Sequence, residues 1–356
     1  MTELRSNKNK KKKSWKKRIL WIFLIILAVV IGYAIYLFST VFGAAQESHQ
    51  ELERPEGKSE LREETVTIGD DPISILLIGV EDYETDGKNG RADTQIVVTL
   101  NPDTNQMSMT TVPRDTRMEF TEEEAQQYAG THKINAAYTY GSIYNYNDSE
   151  TNGGNMLTVK KVEELLNIPI DEYVTVNFDG FSKIVDALGG VTVDIKEPFW
   201  EKNFYTNDRI NFEEGVSKLD GEEALAFVRM RKREVNAIYS REERQQQFIQ
   251  AAIDQAISTG TLFKVDELSS ILGENISTSL SPNEIYQLQR FYSSMSSSDI
   301  NKYEIEGSNQ RINGTYYFVP TDEGLSTVTR QLREELGIDT SPDTNSTTTQ
   351  EETTLN

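Results

Sequence analysis

The stretch ILWIFLIILAVVIGYAIYLF, Ile19–Phe38, carries no charge across twenty residues. That is the length a helix needs to cross a bilayer core. The cluster KNKKKKSWKKR, Lys8–Arg18, lies just before it. Basic flanks stay on the cytoplasmic side, so residues 1–18 are expected inside and everything after residue 40 outside the cell. The alternative is a cleaved signal peptide, but the apolar run exceeds the usual length of such a segment and lacks an A-x-A-like exit. Residues 39–70, including RPEGKSELREE (Arg54–Glu64), read as a polar stalk. The tail 339–356 is rich in Ser, Thr, Asp and Glu and reads as disordered. One compact domain is expected between them, over 71–338.

Charge and cysteine content narrow the chemistry. The whole chain has net charge −21, while its first eighteen residues hold seven Lys and two Arg against one Glu. The body is therefore strongly acidic and would repel a nucleic-acid backbone, so no nucleic-acid partner is expected. There is no Cys, and the two His are His49 and His132. Thiolate nucleophiles, disulfides and multi-His zinc sites drop out. A metal here would be a hard ion on carboxylates, Mg²⁺ or Mn²⁺.

Within 71–338, ISILLIGV (Ile73–Val80) is a continuous apolar run and reads as a buried strand. TQIVVTL (Thr94–Leu100) and MSMTTV (Met107–Val112) read as two more strands, joined by the turn NPDTNQ. Such a hairpin brings its outer ends together. GRAD precedes the outgoing strand and PRDT follows the returning one. Arg91, Asp93, Arg114 and Asp115 should then meet at one sheet edge. The connection from Val80 to Arg91 is too short for a helical crossover, so Glu81 and Asp82 should reach the same edge. A solvated edge with surface ion pairs is the competing reading. Downstream, helices are expected over Gly154–Ile168 and Asp179–Gly190, the second with an Asp N-cap and a Gly-Gly stop. Strands are expected at Asp171–Phe178 and Val191–Ile195. Strands mixed with helices make an α/β fold, a mixed sheet layered between helices.

An arginine-rich stretch follows. LDGEEALAFVRMRKR begins as a helix capped by Asp220, and Arg229 and Arg231 are expected to share one face of an extended segment. In YSREERQQQF, Ser240 and Glu243 form a capping box, so a helix starts at Arg241. Arg241, Arg244, Gln245 and Phe248 fall on one of its faces. Two Arg in a first turn oppose the helix dipole, a tension that a bound anion would relieve. Neutralisation by Glu242 and Glu243 on an exposed face is the alternative. Arg229, Arg231 and Lys232 just upstream favour a phosphate-bearing ligand.

Taken in order, ILLIGVED, GRADT, TTVPRDTRM, HKINAAYTYG, DEYVTVNFDGFSKIVDALGGVTVDI, LDGEEALAFVRMRKR and SREERQQQ resemble the LytR–CpsA–Psr family. The resemblance implies an extracytoplasmic phosphotransferase, anchored by one helix. Such enzymes move teichoic acids, capsular polysaccharides or related glycopolymers from a polyprenyl-pyrophosphate carrier onto peptidoglycan. It places the polyprenyl tail in an apolar pocket and the pyrophosphate against Mg²⁺ and arginines. Arg91 and Asp93 match the family's R-x-D element, with Asp93 on the metal. Arg114 and Asp115 match P-R-D, with Arg114 on phosphate. Arg229 and Arg231 match R-x-R, and Arg241, Arg244 and Gln245 match R-x-x-R-Q, again on phosphate. Two positions depart. The family has Asp where this chain has Glu81, so Glu81 or Asp82 would be the second metal ligand. Asp-Phe-Gly is replaced by Ile238-Tyr239-Ser240. Either Asp93 or Asp115 could take the acceptor's proton. The same residues would serve a polyprenyl-pyrophosphate hydrolase, and the two departures also fit a non-catalytic surface protein that binds polyprenyl phosphate or wall polymer.

Overall fold

The computed structural model describes residues 49–81, 90–258, 275–292 and 300–339. The apolar segment Ile19–Phe38, the basic tail, Asp82 and residues 340–356 lie outside them. Among the described residues no helix is long and apolar enough to cross a membrane.

The chain begins its central sheet with β1 (Ile73–Glu81), β2 (Arg91–Asn101) and β3 (Gln106–Thr111). The small pair β4 (Arg117–Phe120) and β5 (Gly130–Lys133) follows, with the single turn α1 (Glu122–Ala125) between them. Then come α2 (Ala136–Ile143), α3 (Gly153–Leu166), β6 (Glu172–Asn177), α4 (Phe178–Ala187) and β7 (Val191–Ile195). A β-rich excursion, β8 (Phe199–Lys202), β9 (Arg209–Phe212) and β10 (Gly215–Leu219), leads to α5 (Gly221–Arg229) and α6 (Arg241–Ser258). The chain closes with β11 (Ile276–Thr278), α7 (Pro282–Tyr292), β12 (Ile300–Glu304), the hairpin β13 (Gly307–Ile312) and β14 (Thr315–Pro320), and α8 (Asp322–Glu335).

The six-stranded sheet runs β11-β6-β1-β2-β3-β12. β1 is antiparallel to β2 and parallel to β6, and β3 is parallel to β12, so the sheet is mixed. Strand alternation divides the apolar run of β1 between two cores. Leu76, Ile78 and Val80 join Val159, Val162 and Leu166 of α3 and Val328 and Leu332 of α8. Ile73 and Ile75 join Ile96, Val98, Met107 and Met109, against which Ile249 of α6 and Leu288 of α7 pack. Burial on both faces is why the run is almost wholly apolar, and its one polar side chain, Ser74, donates to the Pro169 carbonyl at 2.6 Å. A third core ties α4, α5 and α6 to β7–β10 through Val185, Val193, Phe199, Phe227 and Phe248.

Two expectations need correction. The cap of α4 is Asn177, whose side chain accepts from the Gly180 amide at 2.7 Å. Asp179 lies inside the first turn and pairs with Lys183. The helix starts directly off β6, and Asn caps as well as Asp does. Gly189 and Gly190 do stop it, with φ of +75° and +90° that only glycine adopts without strain. The second correction concerns the stalk. From His49 onward the segment is docked on the domain rather than free. The Tyr173 hydroxyl donates to the Gln50 carbonyl (2.9 Å), and Arg54 donates to the Ile170 carbonyl (2.6 Å) and to Glu163 (3.1 Å). Arg62 forms a two-pronged pair with Asp171 at 3.0 and 2.6 Å, with side chains only 8% and 5% exposed.

Asp171→Ala should therefore destabilise the protein by about 3–5 kcal/mol, because it strands a buried guanidinium; a lowered urea midpoint checks this. Glu172, next in the chain, is raised to about 7 by burial and by the charges of Glu284 and Asp171, with Ser279 opposing. A carboxyl raised on folding contributes stability that is full below its ordinary value of 4.5 and is lost as pH climbs through 7. Unfolding midpoints of Glu172→Gln should lose that decline between pH 4.5 and 7 while the native protein keeps it.

Candidate active site

The hairpin forms as the turn chemistry requires. Asn101 Oδ1 accepts from the amides of Asp103 (3.0 Å) and Thr104 (3.1 Å), and the strands pair from Asn101↔Gln106 to Ile96↔Thr111. On the other side of β2 the register slips. Thr94 faces Gly79 and Ala92 faces Val80, so Asp93 is the extra residue of a bulge. A bulge releases one residue from the ladder and redirects its side chain. Asp93 uses that freedom to become the hub of the site.

The Asp93 carboxylate is 7% exposed. Arg114 Nη1 donates to one of its oxygens, and Asn135 Nδ2 donates to the other at 3.0 Å. Arg241 reaches the Asp93 backbone carbonyl with Nη2 (3.2 Å). Arg114 also faces Asp115 at 3.8 Å, and Asp115 lies 2.8 Å from Lys133 Nζ. Arg229 enters from the end of α5, 3.8 Å from Glu81, with its guanidinium over the rings of Phe204 (4.2 Å) and Phe178 (4.9 Å). Burial pushes Arg229 and Arg241 below the usual arginine range, while Glu81 and Asp93 pull the other way for Arg229 and Asp93 alone leads that pull for Arg241. Arg241 is only 8% exposed, yet its Nε is buried without a hydrogen-bond partner among the described residues. Several cations thus share too little negative charge, which is the electrostatic signature of a site awaiting an anion.

Three openings meet at these arginines. An apolar cavity of about 170 Å³ runs between β1, β6, α4, α5 and α6, lined by Leu77, Val176, Phe181, Val228, Phe248 and Ile249, with Arg229 and Gln245 on its wall. Gly79 forms part of that wall, and a Cβ there would lie 2.9 Å from Thr94. A polar cleft of about 540 Å³ opens past Arg114 and Arg241, and another of about 350 Å³ past Arg229. Arg231 borders both.

Arg114, Asp115, Asp93, Arg229, Arg231 and Arg241 therefore gather around connected openings. Other expected residues take different places. Arg91 is exposed at the start of β2, opposite Glu81 in register and close enough for its charge to act on Tyr140. Arg244 is fully buried and donates to the carbonyls of Phe227 (3.1 Å), Tyr239 (2.8 Å) and Met230. Its guanidinium is consumed beneath the site, so the face shared with Arg241 leads one arginine to the opening and the other into the scaffold. Gln245 donates to Thr94 Oγ1 at 3.0 Å, fixing α6 against the bulged strand. Arg229 closes α5 as a helical residue, rather than standing in an extended segment, although Val228 and Met230 do turn inward. Ile238 is exposed and Ser240 caps α6 by accepting from the Glu243 amide (3.0 Å). Asn135, Phe178 and Phe204 went unread; nothing in spacing or composition marks them.

For a metal, Asp82 lies outside the described residues, and among the described ones no three His, Cys, Asp or Glu are arranged to hold an ion. Oxygen donors are nonetheless at hand: the Asp93 and Glu81 carboxylates flank Arg229, and Asn135 Oδ1 beside Asp93 is buried without a partner. That donor set suits a hard cation.

Comparison with known proteins shows the family. The LytR_cpsA_psr family profile matches residues 35–334, and the chain belongs to that family. It is 40% identical over 335 residues to the polyisoprenyl-teichoic acid–peptidoglycan teichoic acid transferase TagV of Bacillus subtilis, covering 93% of this chain and 81% of that one. It is 36% identical over 328 residues to the enzyme TagU of Halalkalibacterium halodurans, which carries the same transferase name, covering 91% and 99%. The crystal structure of B. subtilis TagV superposes with a TM-score of 0.63 over 76% of this chain and 99% of that one. TagT, also known from B. subtilis, superposes in its form with bound octaprenyl pyrophosphate lipid with a TM-score of 0.60 at 28% identity, covering 82% and 100%.

If Arg244 is scaffold and Arg241 is site, the two should separate in denaturation. Arg244→Met leaves three carbonyls unpaired and should cost about 3 kcal/mol or more. Arg241→Met removes an under-compensated buried charge and should leave the urea midpoint unchanged or raise it.

Proposed function

We propose that this chain is a membrane-anchored phosphotransferase that attaches teichoic acid or a similar anionic glycopolymer, carried on polyprenyl pyrophosphate, to peptidoglycan outside the cell. The observation that carries the reading is a set of arginines around Asp93: Arg229 lines the apolar cavity, while Arg114 and Arg241 bond to Asp93 and line the polar cleft. An isoprenoid tail needs apolar burial, and a diphosphate needs several guanidiniums at its head. The transferase names of the relatives and the octaprenyl pyrophosphate bound to TagT support the same reading.

In the proposed reaction an acceptor sugar hydroxyl attacks the phosphorus nearer the polymer. The bond from that phosphorus to the bridging oxygen breaks, and polyprenyl phosphate leaves with the electron pair. The product is a phosphodiester between polymer and glycan. Arg114, Arg229 and Arg241 align the diphosphate and neutralise charge that builds on its oxygens, which is most of what such a transfer requires. Arg231 stands at the rim, where the polymer-side phosphate would emerge. For the hydroxyl proton, Asp115 is better placed than Asp93. Both Asp93 oxygens already accept hydrogen bonds, whereas Asp115 is 33% exposed and lines the polar cleft. Mg²⁺ or Mn²⁺ would be held by Asp93 and Glu81, with Asn135 Oδ1 and Asp82 as further donors, and would add charge neutralisation at the diphosphate.

Asp93→Ala, Arg114→Ala and Arg229→Ala should each lower transfer by at least about a hundredfold. The assay follows polymer fixed to peptidoglycan from a polyprenyl-pyrophosphate donor, with circular dichroism as a control for folding. Activity near that of the native protein in any two of them overturns the site. Release of free polymer without fixation would make the protein a hydrolase instead.

A further inference from the structure

The two polar clefts differ in a way that assigns substrates to them, given the transfer reaction proposed above. The cleft past Arg229 has Lys202, Arg229, Arg231 and Lys232 on its walls against the single acid Glu201. That acid is already engaged, 3.4 Å from Arg233. On a chain of net charge −21 this is a local reversal of sign, and it would attract a polyanion. The cleft past Arg114 is balanced. Its four cations, Arg114, Arg231, Arg241 and Lys302, are matched by Asp115, Glu242, Glu243 and Glu304. It also presents the amides of Asn236, Gln246 and Asn309 and the rings of Tyr303 and Phe318. Amides and carboxylates that pair with hydroxyls, beside aromatic faces that cover sugar C–H surfaces, suit an uncharged polyhydroxyl chain. Its volume of about 540 Å³ lies in the range of small-molecule sites.

Position supports the same division. Arg231 is common to both clefts, and Asp115, the better-placed proton acceptor, lines the balanced one alone. A hydroxyl entering through the balanced cleft meets Asp115 and then Arg114. A polymer leaving the diphosphate on the far side of Arg231 meets Lys202, Arg229 and Lys232, with Glu201 as the one acid among the lining residues. The C-terminal hairpin is held against the reaction centre by backbone bonding, since the Phe318 amide donates to the Asp115 carbonyl at 2.8 Å. We propose that the balanced cleft between α6 and the β12–β14 region holds the acceptor glycan strand, while the cationic cleft beyond Arg231 carries the anionic polymer of the donor.

The test uses the full chain in detergent, with a polyprenyl-pyrophosphate-linked teichoic acid as donor and a soluble uncrosslinked peptidoglycan oligosaccharide as acceptor. Asn309 is exposed on β13, and Asn309→Trp fills the balanced cleft. It should raise KM for the oligosaccharide at least tenfold and leave KM for the donor within twofold. The pair Lys202→Glu and Lys232→Glu, both exposed, should do the reverse and flatten the salt dependence of donor KM. Glu304→Ala, on the neighbouring strand, repeats the first arm should Asn309→Trp fail to fold. The assignment falls if the pattern is inverted, or if all these variants leave both KM values unchanged. Calorimetry with the oligosaccharide alone needs no turnover. Binding that is present in the native protein and lost in Asn309→Trp supports the cleft even where no product forms, which separates failure of this assignment from failure of the transfer reading; equal binding in both overturns it.

Discussion

The contact between Arg114 and the bulged, buried Asp93 organises the site. A lone carboxylate at that depth would be expensive, and so would any one of the guanidiniums around it. Each is tolerated because both Asp93 carboxylate oxygens are hydrogen-bonded: Arg114 and Asn135 hold its side chain, and Arg241 holds its carbonyl. The balance is deliberately incomplete on the cationic side. Among the described residues Arg241 keeps a buried Nε without a hydrogen-bond partner, and Arg229 has a 3.8 Å approach to Glu81 and two aromatic rings. Positive charge held in place before the ligand arrives costs stability in the empty protein and removes reorganisation from the bound state.

What holds those cations in place is an unusual join between two helices. α5 ends at Arg229 and α6 begins at Arg241, so the orphan carbonyls of one helix lie near the orphan amides of the next. Arg244 resolves part of the first set by donating to the Phe227 and Met230 carbonyls, supplying positive charge where the α5 dipole is negative, and it also holds the Tyr239 carbonyl of the joining segment. Ser240 resolves part of the second set. The conflict of arginines in a first turn thus has two separate answers. Arg244 belongs electrostatically to the C-terminus of the preceding helix, and Arg241 faces Asp93 and the opening. Gln245 then ties the same turn to Thr94, so the bulge in β2 and the start of α6 move as one piece.

Much of this was readable because it is local. The hairpin follows from two alternating runs and an Asn-rich turn, and it alone predicts that Asp93, Arg114 and Asp115 meet. The N-caps at Asp220 and Ser240 fix where both arginine-bearing helices begin. The unread part depends on pairs far apart in the chain. A helical face groups Arg241 with Arg244 but cannot say which lies over the opening and which lies under α5. Asn135 reaches Asp93 across 42 positions, and Phe204 covers Arg229 from a loop with no periodic signature. The segment read as a stalk is the clearest case. Its composition is that of a solvated strand, but Arg54 and Arg62 meet Glu163 and Asp171 more than a hundred residues away, and charge becomes scaffold.

That docking bears on how a lipid-borne substrate would be reached. Were Ile19–Phe38 to span the bilayer, only the residues between 38 and 49 would separate it from the first docked position. An extended run of that length reaches at most roughly 40 Å. The domain would then stay within about its own diameter of the membrane surface, and a carrier lipid would not need to leave the membrane entirely to present its head. Among the described residues the apolar cavity measures about 170 Å³, room for part of a long isoprenoid. On that reading a short tether and a small cavity would act together: the site would grip the units next to the diphosphate while the rest of the tail stayed in lipid. The energetic burden of capture would then fall on the arginines rather than on hydrophobic burial, and it is at the arginines that the described residues leave positive charge least matched.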